Sequence, residues 1–152
     1  MNRKQLMKRV RSITRDLSNS TFTESDIIDF LNEGVDRVRQ VIPEFIDMSY
    51  LDGQDDVPTH LPAPYHHLLA TYAAASLYFQ DDRHHQATVK MNEFESKLDT
   101  LKSRFQTGEA EVVGADGLPI YADMKDDHVR NVYFNTRHGG VDVDAGVDGV
   151  NY

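Results

Sequence analysis

The chain has 152 residues, 39% of them apolar and 27% charged, with a formal net charge of −9 and no cysteine. One domain is the simplest organisation at this length. Disulfides, thiol catalysis and cysteine-ligated zinc are excluded, and so large an acidic excess argues against wrapping nucleic acid. No run approaches the ~20 apolar residues of a membrane-crossing helix. The basic N-terminus is not followed by the apolar core and cleavage site of a secretory signal.

Charge is unevenly placed. Residues 1–16 carry six basic and one acidic side chain; residues 17–106 carry seven and fifteen; residues 107–152 carry three and nine. The only basic stretch is therefore the first, "MNRKQLMKRVRSITRDL". There Leu6, Val10, Ile13 and Leu17 recur at spacings of four and three, which predicts a helix with one apolar stripe, ended by "SNS" at 18–20. Its basic face holds Arg3, Lys4, Lys8, Arg9, Arg11 and Arg15, with no interleaved aromatics for stacking on bases. A solvated or protein-facing basic helix is the better match, with Arg9 and Arg15 as secondary candidates for contact with an acidic partner surface.

A second helix is announced by Thr23 and, three residues on, Asp26, a capping box with Asp in place of Glu or Gln. Ile27, Leu31, Val35, Val38 and Ile42 form its apolar face, and Pro43 ends it. Gly34 in mid-helix points to close approach of a neighbouring helix. Residues 45–60 hold an Asp-Gly turn between two short extended candidates, giving either a small β-hairpin or an ordered loop. Three prolines (Pro58, Pro62 and Pro64) then keep the chain extended.

Residues 65–80, "YHHLLATYAAASLYFQ", are apolar almost all round, as a central helix would be. After "DDRHH", the residues Ala87, Met91, Phe94, Leu98, Leu101 and Phe105 alternate spacings of four and three. That is a helical seam, packed within its own bundle or shared between subunits. From Thr107 the pattern changes: seven of the nine glycines lie between 108 and 149, and apolar residues come in short groups. Ordering some 40 residues costs on the order of 1–2 kcal/mol each in backbone entropy. Groups this short do not offset that unaided, so residues 107–152 are expected to form an extended acidic arm ordered by partners. Tyr121, Val132, Tyr133 and Phe134 are its apolar anchors.

Catalytic and metal motifs are weak. His66–His67 and His84–His85 are adjacent pairs whose side chains diverge by about 100° on a helix, unlike the four-residue spacing of zinc-binding helices. Asp142, Asp144 and Asp148 lack the glycine and the glutamate of an EF-hand at the required positions. No glycine-rich phosphate loop or nucleophile elbow is present, and no cofactor is expected.

The order of elements carries a resemblance. "TFTESDIIDFLNEG", then "LP" before a Tyr/Ala-rich helix, an acidic turn and "KMNEFESKLDTL" together resemble the head–tail connector (adaptor, or head-completion) proteins of tailed bacteriophages, over about residues 6–106. The resemblance implies a mainly α protein: a four-helix bundle at 1–106 with the hairpin or loop inserted, followed by the arm at 107–152. It implies a structural, non-enzymatic role in the virion neck, at the portal vertex, with the host cytoplasm as the place of assembly. The partners would be the portal protein, tail or neck proteins, and further copies in a ring commonly of twelve, with DNA passing through unbound. A helical DNA-binding regulator using the basic first helix is the alternative, and a metal-dependent helical enzyme a third.

Overall fold

A computed structural model of the chain describes residues 1–108, all within the first of the two units into which the chain divides, Met1–Ile120. The described residues are mainly helical. Four α-helices follow in order: α1 (Arg3–Thr14), α2 (Glu24–Val41), α3 (His67–Gln80) and α4 (His84–Gln106). Single 3₁₀ turns lie at Pro43–Phe45 and Ala63–Tyr65, and there is no strand among the described residues. The arm expected from 107 onward lies outside the described residues apart from Thr107, which caps α4, and Gly108. Gly108 has φ +75°, the left-handed conformation that commonly follows a helix end.

The third helix is central. Nine of its residues are buried, and it packs against α1, α2 and α4. Its alanines, Ala70, Ala73, Ala74 and Ala75, are fully enclosed and permit close approach. Gly34 of α2 meets it directly. A Cβ added there would lie 3.3 Å from Tyr72 Cδ1 and 3.4 Å from Leu69 Cδ2, so the glycine makes room for α3, as its mid-helix position suggested. The α4 seam faces inward too: Ala87, Phe94, Leu98 and Leu101 are buried, and Met91 and Phe105 pack at the edge of the same core. The α2 start has the expected reciprocal bonds, with the Asp26 amide donating to Thr23 Oγ1 at 3.1 Å and the Thr23 amide to Asp26 Oδ2 at 3.3 Å.

One expectation is corrected. Helix α1 stops at Thr14 rather than at 18, and Leu17, the last position of the apolar stripe, is 77% exposed. Arg15 turns the chain with φ 60°, and the buried Asp16 carboxylate then gathers the amides of Ser20, Thr21 and Phe22. Those bonds compete with helix continuation. The core position beyond Val10 goes to Thr14, whose hydroxyl donates back to the Val10 carbonyl.

Of the two forms open for residues 45–60, the structure has the loop. The two flanks of Gly53 share one bond, from the Ser49 amide to Thr59 Oγ1 at 2.9 Å, and otherwise bond to helices. The Arg3 and Lys4 amides donate to the carbonyls of Asp56 and Gln54, and the Leu51 amide donates to Asn32 Oδ1 at 2.8 Å. The Arg39 guanidinium holds the Met48 carbonyl. With these groups engaged, no cross-strand ladder forms. Met48, Leu51 and Pro58 turn inward, which anchors the loop on the core.

A candidate interface on the first helix

Helix α1 is fixed at both ends. Asn2 caps it, accepting from the Gln5 amide at 2.9 Å while Gln5 accepts from the Asn2 amide. At the other end Tyr78 of α3 donates its hydroxyl to the Ile13 carbonyl at 2.8 Å, satisfying a helix-terminal acceptor. Leu6 and Val10 bury the inner face. The outer face is thus presented on a rigid support.

The basic residues of this face divide into two kinds. Arg11 is structural: its guanidinium, 11% exposed, pairs with Asp16 at 3.0 Å and donates to the Phe22 carbonyl at 3.3 Å. Arg3 is also committed, to the carbonyls of Leu51 and Asp52. By contrast Lys4, Lys8, Arg9 and Arg15 are exposed and make no ion pair among the described residues. Two lysines of α4 differ, since Lys90 and Lys97 both bind Glu93, at 2.8 and 2.7 Å, and hold its carboxyl at about 2.

A groove of about 410 Å³ runs beside α1, lined by Arg3, Lys4, Lys8 and Arg11 together with Glu24 of α2. Met7 and the exposed Leu17 supply its apolar lining. Neither sequence candidate lines it. Arg9 lies on the other flank, near enough to His67 of α3 for its charge to disfavour protonation of that ring, and Arg15 sits at the helix cap. The structure does not gather Arg9 and Arg15 into one site. The pair that does share the groove, Lys4 and Lys8, was legible as two lysines one helical turn apart; what singled them out was the removal of Arg3 and Arg11 into structural contacts. The arm candidates Tyr121, Val132, Tyr133 and Phe134, and the acidic trio Asp142, Asp144 and Asp148, lie outside the described residues.

The histidine pairs have separate surroundings. His66 is buried, with Nε2 at 2.8 Å from the Leu61 carbonyl and Nδ1 at 2.6 Å from the Met1 amine. Both contacts are satisfied by a neutral ring protonated at Nε2. Burial, with the amine charge adding to it, pulls the His66 pKa below its ordinary value. His67 is shifted the same way, by burial and then by Lys97. His84 and His85 are exposed at the start of α4, and His84 lies 3.8 Å from Asp82. Among the described residues no group of three or more histidine and carboxylate side chains is placed to hold a metal, and no helix is long and apolar enough to cross a membrane.

A depressed histidine pKa means that the unfolded chain takes up the proton first. The stabilisation is present above about pH 6.5 and is lost as pH falls through the lower folded value. His66→Gln retains one donor and one acceptor but does not titrate. Its denaturant midpoint is expected to decline less than the parent's between about pH 7 and about pH 5, with His67 supplying the residual slope. Equal slopes in the two proteins would show that His66 does not carry the effect.

No protein-family profile, curated protein or solved structure matches the chain.

Proposed function

We propose that the chain is a structural adaptor of a tailed-bacteriophage neck. In this reading the four helices form a bundle, copies assemble as a ring between the capsid portal and the tail, and residues 107–152 are the arm that partners order. It acts in the virion and is not an enzyme.

The observation that carries the reading is the outer face of α1. Of its four exposed cations without ion pairs among the described residues, on a chain of net charge −9, Lys4 and Lys8 share a groove with Leu17, an apolar side chain that the fold leaves 77% exposed. Such a surface suits an acidic protein partner. The acidic remainder of the chain suits a channel wall, because like charge lets DNA slide past without binding. The ordered pattern of elements, which resembles the connector proteins, supports the same reading.

Portal rings are expected to retain the full-length protein in a pull-down. Deleting residues 107–152, or replacing Tyr121, Val132, Tyr133 and Phe134 together by serine, should weaken retention. Undiminished binding would remove the arm from the proposal, and no binding by the parent would remove the adaptor. The free cations of α1 also support the alternative of a DNA-binding regulator. It requires salt-dependent binding of duplex at submicromolar protein, whereas the adaptor reading expects none.

A further inference from the structure

We propose that the groove beside α1 binds residues 141–148 of a second copy of this chain. The segment reads "VDVDAGVD", with three aspartates and no basic residue. The groove that would receive it has four basic side chains on its walls against one carboxylate, Glu24.

Spacing matches as well as sign. In extended backbone Asp142 and Asp144 fall on one face, roughly 6.6–6.8 Å apart along the strand. Lys4 and Lys8 stand one helical turn apart, about 6 Å along the axis. The alternate residues, Val141 and Val143, are apolar, and the same groove has Met7 and Leu17 in its lining. This gives the exposed Leu17 an occupant that the helical core does not provide. Between Gly108 and Val141 the chain reaches at most about 110 Å when fully extended, ample to meet a neighbouring molecule.

The choice of a second copy rests on the adaptor reading. A segment of one molecule inserted into a different surface of the next is a heterologous contact, and such contacts close into rings when the rotation permits. The apolar anchors at 121–134 remain available for the portal, so one arm serves two partners in succession.

Two full-length variants test the proposal by sedimentation velocity over a concentration series at low and high salt. One is Lys4→Glu with Lys8→Glu, which has an acidic groove and an acidic tail. The other is Asp142→Lys with Asp144→Lys, which has a basic groove and a basic tail. The parent is expected to self-associate at low salt and to dissociate as salt is raised. Each variant alone should associate about tenfold more weakly or worse, with its helical circular dichroism unchanged because Lys4 and Lys8 are exposed. Mixed in equal amounts, the two should associate again, since each now offers what the other lacks.

A parent that stays monomeric overturns the proposal, as do variants that associate like the parent. A mixture that remains monomeric overturns it too. No portal is present in this assay, so its failure leaves portal binding standing, and a failure to bind portal leaves this result intact.

Discussion

Replacing Phe94 by alanine is expected to cost about 3–5 kcal/mol, the usual loss when a large aromatic side chain is removed from a closed core. Phe94 is fully buried in mid-α4, and its ring meets that of Tyr72 edge-on, with centroids 5.1 Å apart. Tyr72 is in turn pressed against α2 at Gly34. The ring therefore joins three helices at one level, and a cavity there has close-packed walls that collapse poorly. Against the roughly 5–15 kcal/mol available to a typical domain, this is about a fifth or more of the total. Urea unfolding should show a lower midpoint at an unchanged slope.

Two comparisons sharpen the prediction. Phe105 packs edge-on with Phe45 at 5.0 Å but is only partly buried near the end of α4, so Phe105→Ala should cost less than Phe94→Ala. Leu17→Ser should leave stability within about 0.5 kcal/mol, because the side chain is almost fully in solvent. A Leu17 variant as damaging as the Phe94 variant would contradict the packing and restore the longer first helix that the sequence period suggests.

That contrast shows what sequence reading reaches. The second and fourth helices were legible because their signals are local: a capping box at Thr23 and Asp26, and six apolar side chains at alternating spacings from Ala87 to Phe105. The central position of the third helix was legible from its lack of a polar face. The end of the first was not, since Leu17 continues the apolar spacing while the group that stops the helix is an aspartate acting through amides four to six residues ahead. The segment at 45–60 stayed open between hairpin and loop for a related reason, as its backbone groups are claimed by Arg39, by Asn32 and by the start of α1. In the candidate interface, charge singled out the first helix. Only the contacts of Arg3 and Arg11 with the backbone and with Asp16 reveal which of its cations are free.

Asp16 is where that contact can be tested most directly. Its Oδ1 accepts from the amides of Ser20 and Thr21 at 3.1 and 3.2 Å, and its Oδ2 accepts from the Phe22 amide at 3.2 Å and from Arg11 at 3.0 Å. Burial acts to raise the carboxyl pKa, but the three amides and the guanidinium outweigh it and hold the pKa below the ordinary carboxylate value. For a depressed carboxyl the stabilisation is present above the unfolded pKa, about 3.9, and disappears as pH falls through the lower folded one. Asp16→Asn removes the charge, leaves Arg11 without its ion-pair partner and turns an NH₂ group toward positions occupied by donors. The melting temperature at neutral pH is expected to fall by several degrees, and the parent and variant curves should converge as the solution is acidified below about pH 4. Asp26→Asn, altering the cap of α2 at a more exposed site, should produce a smaller shift. Parent and Asp16→Asn curves that stay parallel down to strongly acid pH would mean that the carboxylate is not what ends the first helix and sets Leu17 in the groove.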